Sequence, residues 1–363
     1  MEKQLYDEIR VSLAAKLKTA QREDRLQSKT VVLMHDFSLD RLVHVNNLDT
    51  FINCTQDIYC RKGGLYPRSH QVNVQGGCAA NAATALGRLG VKTYFISRTD
   101  ELGLALIEFY LKNKAGVDIG GVKLGGSLAN MTALEIGEDC INIMINDEES
   151  FGPFGFDDLD EKDFEIIHQA DLVGVFDWCL NMKGTDLASR LFDYLDGKAI
   201  ITYYDTSDPA PRQDEIPELF AKAISHPALS YLNLNENELC QYAKREPIKK
   251  TNWEELKETT RELKSKIPAR LNVHTSCFSA FLDGKNEAVV PTYEVAPLRS
   301  TGAGDAWNSG NIIGILLDLE PEERLLMANS VAAYYITSST GERPTLTKLI
   351  RFIENPELKL RDI

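Results

Sequence analysis

The sequence predicts an α/β protein, with a mostly parallel sheet covered by helices on both faces and a smaller group of strands set apart from it. Three observations carry this. Short apolar runs of strand length recur along the chain with helix-length segments between them. Two stretches, residues 41–75 and about 120–150, interrupt that alternation with extended segments of their own. A run of small residues ending in an acid, Ser300-Thr301-Gly302-Ala303-Gly304-Asp305, opens a long apolar helix, and such a helix start is a ready site for an anion.

In chain order, residues 1–29 read as a charged amphipathic helix with Leu5, Ile9, Leu13 and Leu17 four apart, packing on the main fold or on a partner subunit. The main domain then occupies 30–363. Val31-Val32-Leu33-Met34 is a short buried strand, and Val43-His44-Val45 and Val72-Asn73-Val74 are extended. A helix over 77–89, closed by Gly90, leads to a strand over 92–97 and a helix over 102–115. Residues 131–136 and 141–145 are extended. Alternation resumes with strands over 172–176, 199–203, 231–234 and 271–274, separated by helices that include 214–225 and 253–266. The last helices begin at Pro321-Glu322-Glu323, with proline at the first position and acids in the first turn.

A chain of 363 residues, 43% hydrophobic and 26% charged, can build a large core. Its net charge of −14 leaves no basic footprint for nucleic acid and would be repelled by an anionic membrane. An anionic nucleotide therefore has to be held locally, by backbone amides, a metal ion and a few positive groups. The cysteines at 54, 60, 78, 140, 179, 240 and 277 form no CxxC pair, which excludes zinc-knuckle and thioredoxin-like readings and fits reduced thiols. The start Met1-Glu2-Lys3-Gln4 lacks a signal-peptide core, and runs such as 312–317 are too short to span a bilayer. The expectation is a soluble, cytoplasmic protein.

Gly302, Ala303 and Gly304 let backbone N–H groups approach a phosphate where the helix dipole adds partial positive charge. Asp305 then stands beside the anion as a base, which suggests phosphoryl transfer. Gly76-Gly77-Cys78-Ala79-Ala80-Asn81 follows an extended segment and opens an alanine-rich helix. It reads as a polyol clamp or as a tight turn before a close-packed helix. It is not the G-x-G-x-x-G dinucleotide fingerprint, which argues against a dehydrogenase. Asn235 and Glu238, three apart just beyond a strand, suit hydrated Mg²⁺ or form a capping box. Asp40 and Asp205 are further acids near strand ends, each readable as a turn residue.

Taken together, these motifs resemble the PfkB, or ribokinase-like, family of carbohydrate kinases. Gly76, Gly77 and Asn81 match its G-G-x-x-x-N motif, Asn235 and Glu238 its N-x-x-E motif, and residues 299–305 its D-T-x-G-A-G-D motif. Asp40 corresponds to the early sugar-contacting aspartate, and Asp100 and Gly103 to a D-x-x-G step. The resemblance spans residues 31 to about 345. It implies a three-layer ribokinase-like α/β core with a β lid formed by segments 41–75 and 120–150. It also implies a kinase that moves the γ-phosphoryl group of a nucleotide triphosphate, ATP, to a hydroxyl of a sugar or related polyol.

In that scheme Asp305, ionised at pH 7, is the general base, and Gly302, Ala303 and Gly304 stabilise the migrating phosphoryl group. Asp40, Gly76, Gly77 and Asn81 hold the acceptor. Asn235, Thr275, Thr301, Gly302, Gly304 and Asn329 lie on the nucleotide side, and Glu238 with Asn235 orders Mg²⁺ through water. A homodimer through the lid is also implied.

Two departures stand out. Arg299 replaces an aspartate that helps organise a monovalent-cation site, which puts K⁺ activation in doubt and offers a built-in cation instead. Thr275-Ser276-Cys277-Phe278-Ser279-Ala280 lacks both glycines of the family's T-x-G-x-x-G motif. Trp307 takes the place of a phenylalanine. Arg299 and the lost glycines favour, as an alternative, a member that binds sugar or nucleotide without turnover; the retained Asp305, Gly302 and Gly304 favour catalysis. A nucleoside kinase of the same family is a further alternative. The acceptor is open among sugar, sugar acid, sugar phosphate and nucleoside, with Arg61, Lys62 and Arg68 as a candidate phosphate cluster.

Overall fold

A computed structural model describes residues 3–67, 69–137, 141–147, 153–246, 248 and 251–361. Arg68 and Cys140 lie outside the described residues. The chain opens with α1 (Lys3–Arg22), then β1 (Thr30–His35), β2 (Ser38–Val45), α2 (Leu48–Cys60), β3 (Gln71–Gly76), α3 (Cys78–Leu89), β4 (Lys92–Thr99), α4 (Glu101–Ile107) and β5 (Asp118–Leu124). It continues with β6 (Ala129–Ile136), β7 (Ile141–Asn146), α5 (Glu161–Ile167), β8 (Leu172–Phe176), α6 (Gly184–Leu195), β9 (Ile201–Asp205) and α7 (Ile216–Leu219). Then follow β10 (Tyr231–Asn235), α8 (Glu236–Tyr242), α9 (Trp253–Ser265), β11 (Arg270–His274), β12 (Phe278–Leu282), β13 (Glu287–Pro291), α10 (Ala303–Leu316), α11 (Pro321–Ile336) and α12 (Leu346–Ile353).

Nine strands form the main sheet in the order β13-β12-β11-β10-β9-β8-β1-β4-β5. It is parallel from β11 to β5, and β12 and β13 add an antiparallel edge. Strands covered on both faces need apolar side chains on both, and β8, Leu-Val-Gly-Val-Phe, is buried at every position. One face carries a core built from α1, α3, α10, α11 and α12, with Leu13, Leu86, Ile312 and Leu349 fully buried. The other carries a core built from α5, α6, α7, α8 and α9, with Leu191, Leu219, Leu239 and Leu256 fully buried. The α/β class and the three layers are thus as the sequence predicts.

The lid is a separate four-stranded sheet, β3-β2-β6-β7. Two details differ from the sequence reading. Segment 41–75 is not extended throughout, because α2 lies inside it, started by Asn47, whose side chain accepts from Thr50 N–H. None of its residues is buried, so helical spacing there reflects capping and period without a core to fill. Residues 120–124 belong to β5 on the edge of the main sheet, so the second lid segment starts after Leu124. The N-terminal helix packs on the main fold through Leu13 and Leu17, and Ser12 and Lys16 both reach Glu323 of α11.

Candidate active site

The parallel strands end on one side of the sheet, the side where open α/β sheets bind ligands. Asp36 follows β1, Asp177 follows β8, and Asp205, Asn235 and His274 close β9, β10 and β11. These residues line a cavity of about 990 Å³ together with Asp40, Gly77, Asn81, Glu238 and residues 300–305. Met131, Asn142, Met144 and Asn146 close it from the lid. Alternation along β7 therefore sends 142, 144 and 146 inward and leaves Ile141, Ile143 and Ile145 exposed on the other face.

Gly302 caps α10 at φ 81, in the left-handed region, where a side chain would be strained and a Cβ would come within 2.9 Å of the Tyr335 hydroxyl. That hydroxyl donates to Thr301 O at 3.0 Å and pins the turn. Of the three expected anion donors, the Ala303 N–H is committed to Ser300 O at 3.1 Å. Gly302 and Gly304 face the same cavity.

Asp305 sits one residue further on, its Oδ2 accepting from Asn81 Nδ2–H at 2.8 Å. The sequence predicts an ionised aspartate at a helix start, but burial outweighs the dipole. It pushes the Asp305 carboxyl up to about 8, with Asp205 and Asp36 raising it further and Asn81 and Arg343 opposing.

The side of the cavity where the sequence predicts the acceptor is built by β2, β3 and α3. Asp40 is buried, accepts from Ser38 Oγ–H at 2.6 Å, and is pushed up to about 6, chiefly by burial. Gly76 lies behind it, where a Cβ would overlap the Asp40 carboxylate at 1.9 Å. Gly77 turns at φ 89, and a Cβ there would meet Asp36 O at 2.6 Å. The Asp36 carboxylate accepts from Cys78 N–H and, at 2.9 Å, from Ala79 N–H, capping the start of α3 from the end of β1.

At the other end Asn235 and Glu238 form the capping box: Asn235 Oδ1 accepts from Glu238 N–H at 3.0 Å and Glu238 Oε2 from Asn235 N–H at 2.9 Å. Burial raises the Glu238 carboxyl well above its usual range, and Asp205, Asp208 and Glu236 add to it. Several buried carboxylates facing one another fit a hydrated divalent cation.

Two sequence candidates lie away from the cavity. Thr275 Oγ1 accepts from Cys277 and Phe278 N–H and closes the β11–β12 turn. Asn329 is buried between α10, α11 and the sheet edge. Its Oδ1 accepts from Ser279 Oγ at 2.6 Å and Trp307 Nε1 at 2.9 Å, and its Nδ2 donates to Val290 O and Pro291 O. Asp100 caps α4 through Gly103 N–H at 2.8 Å. Arg61 pairs with Asp57, and neither Arg61 nor Lys62 lines the cavity. Arg299 precedes the Gly302–Gly304 turn, its Nε and Nη2 donating to Ser338 O and Ser339 O at 3.1 and 2.9 Å.

Sequence reasoning missed Asp36, Asp177, Arg212 and Arg343. The first two carried a usable signal, an acid directly after a buried strand. Arg212, which donates to Trp178 O at 2.6 Å and Asn181 O at 2.7 Å, and Arg343 carried none.

The pfkB family carbohydrate kinase model matches residues 47–348, and the chain belongs to that family. It is accordingly a phosphotransferase with an alcohol group as acceptor. No curated protein matches the chain by sequence. Similar solved structures include Arabidopsis thaliana ribokinase complexed with ribose and ATP (17% identity, TM-score 0.70, covering 90% of this chain and 98% of that one). Thermotoga maritima 2-dehydro-3-deoxygluconokinase is similar at 14% identity and TM-score 0.70, covering 90% and 98%. Adenosine kinase from Sinorhizobium meliloti is similar at 15% and 0.67, covering 89% and 97%. At these identities the likeness concerns the fold. Among the described residues no helix is long and apolar enough to cross a membrane.

Proposed function

We propose that this protein transfers the γ-phosphoryl group of ATP to a hydroxyl of an uncharged polyol, a sugar or a nucleoside, with Asp305 as general base. The observation that carries this reading is the meeting, in one cavity, of Asp305 and the Gly302–Gly304 turn with Asp40 and Asn81. Gly302 and Gly304 offer backbone N–H groups to the phosphoryl group, and Asp40 and Asn81 accept from and donate to acceptor hydroxyls. Asp305 in its ionised form takes the proton from the attacking hydroxyl; with the carboxyl raised to about 8 that form grows as pH rises, and it accepts a proton more readily than an ordinary carboxylate. Glu238 and Asn235 would hold Mg²⁺ through water. Bound there, the ion would neutralise charge on the nucleotide phosphates.

The acceptor's charge follows from the walls. Asp36, Asp40, Asp177 and Asp305 surround the acceptor end, and Arg212 is already engaged by Glu215 at 2.5 Å. An acceptor bearing a carboxylate or phosphate would bring negative charge against Asp36 and Asp40, which ionise above about pH 6, and against Asp305 in its reactive ionised form, a repulsive selection against it. A panel of neutral sugars, nucleosides, sugar acids and sugar phosphates, assayed with ATP, tests this. Turnover confined to the neutral members is expected, and a preference for sugar phosphates would overturn it. Asp305→Asn is expected to lower kcat by about 10²–10⁴-fold while nucleotide binding survives. Near-normal turnover in that variant would rule out the assigned base.

A further inference from the structure

Arg343 lies in the segment between α11 and α12, far in sequence from every motif above. Its guanidinium Nη2 donates to Asn81 Oδ1 at 2.5 Å and stands 5.2 Å from the centre of the Tyr335 ring, whose hydroxyl pins Thr301. Gln75 Nε2 donates to the same Asn81 oxygen at 3.3 Å. Among the described residues no carboxylate lies within ion-pair distance of Arg343; its neighbour Glu342 is taken by Arg88 and Lys348.

An asparagine amide has an acceptor end and a donor end, and either can face a given partner. Arginine can only donate. With Arg343 and Gln75 both donating to Oδ1, the Asn81 amide has one satisfied orientation, and that orientation aims Nδ2 at Asp305 Oδ2.

We propose that Arg343 is a positioning residue for the phosphoryl-transfer step, fixing the Asn81 amide so that it holds Asp305 by one carboxylate oxygen and leaves the other for the acceptor hydroxyl. The inference rests on the reading of Asp305 as the base. Arg343 also supplies the positive charge in an otherwise acidic setting. The groups facing Asp305 are Asn81 and Cys78 from α3, Asp36 after β1, Asp177 after β8, Asp205 from β9 and His274 from β11. Burial lowers the His274 imidazole to about 4, so it is neutral near pH 7. Arg343 is the cation of this group. A cation coupled through an amide favours the ionised base.

The test compares Arg343→Met and Arg343→Lys with the parent, reading kcat, both KM values and the pH dependence of kcat/KM. Arg343→Met should lower kcat about 10–100-fold, move the acidic limb upward by about one pH unit and leave the nucleotide KM within about twofold. Arg343→Lys, which keeps a charged donor, should recover most of both effects. An unshifted limb in Arg343→Met, or a loss that Lys does not recover, would overturn the inference and leave a structural role. Should Arg343→Met fail to fold, the limb of Arg343→Lys against that of Arg343→Gln decides: Gln can also accept and lacks charge, so only Gln should shift it. Asp305→Asn run in parallel separates the two ideas. If that variant stays active, the base itself is wrong and the inference falls with it; if it is dead while Arg343→Met keeps the parent profile, the inference alone fails.

Discussion

Arg299 shows how one residue can change what a site needs. Its guanidinium donates to two successive backbone carbonyls, Ser338 O and Ser339 O, and stands 5.7 Å from the Tyr335 ring centre. Gly341 makes room for it, since a Cβ there would lie 2.3 Å from Arg299 Nη1. We propose that this fixed positive charge, bonded to carbonyl oxygens, takes the place of a monovalent cation beside the Gly302–Gly304 turn. The rate is therefore expected to change less than about twofold when K⁺ is exchanged for Na⁺ or choline at constant ionic strength. Severalfold stimulation by K⁺ in a steady-state assay would refute a built-in cation. The identity of residue 299 was legible in the sequence; that its charge lands on carbonyls forty residues away was not.

At the scale of elements, the packing of α10 against α11 and the sheet sets where Asp305 stands. The interior of that contact is polar. Tyr203 OH donates to Asn308 Oδ1 at 2.8 Å, Asn308 Nδ2 to Asp205 Oδ2 at 2.6 Å, and Asn311 Nδ2 to Tyr203 OH at 3.0 Å. Asn329 belongs to the same layer, taking Trp307 Nε1 and Ser279 Oγ as donors. Asn329→Leu keeps the volume and removes the acceptor of the buried Ser279 hydroxyl, together with the donor to Val290 O and Pro291 O, while Trp307 Nε1 keeps Ser279 Oγ as a partner at 2.8 Å. A loss of about 2–3 kcal/mol in denaturant-measured stability is expected, with the nucleotide KM unchanged under conditions where the variant is folded. A large KM increase at intact stability would return Asn329 to the nucleotide side. The sequence reading of this helix as an apolar surface was right about Ile312 and Ile313 and silent about its buried asparagines. Helical periodicity marks which face is buried, whereas the chemistry of what it meets depends on partners far along the chain.

Across the whole molecule, burying so many acids at one end of the sheet ties stability to pH. The folded pKa of Asp305, about 8, lies above the ordinary carboxylate value, so between them the folded form holds a proton that the unfolded form has released. Its contribution is complete at low pH and is lost as pH rises toward 8. Asp36, Asp40, Asp177, Asp205 and Glu238 are all raised by burial and act in the same direction. His35 and His274, lowered by burial to about 4, act oppositely, but only below the ordinary imidazole value of about 6.5. Between pH 6.5 and 8.5 the acids act alone. The Tm of the ligand-free protein should fall across that window, and Asp305→Asn should be the more stable form at pH 8.5, by a margin that shrinks toward pH 6.5. A flat Tm, measured by scanning calorimetry, would contradict this account of the site.

The sequence by itself determined the α/β alternation, the presence of a lid and the motif residues at 76–81, 235–238 and 299–305. Each of these is written locally, as a strand run, a glycine that must turn at positive φ, or a cap. Only the tertiary structure decided that Asp36 and Asp177 stand with Asp305 in one cavity, that Thr275 and Asn329 do not line it, and that Arg343 orients Asn81. The physical reason is that strand order brings together residues separated by hundreds of positions, and burial then changes their charge. A spacing rule registers neither effect.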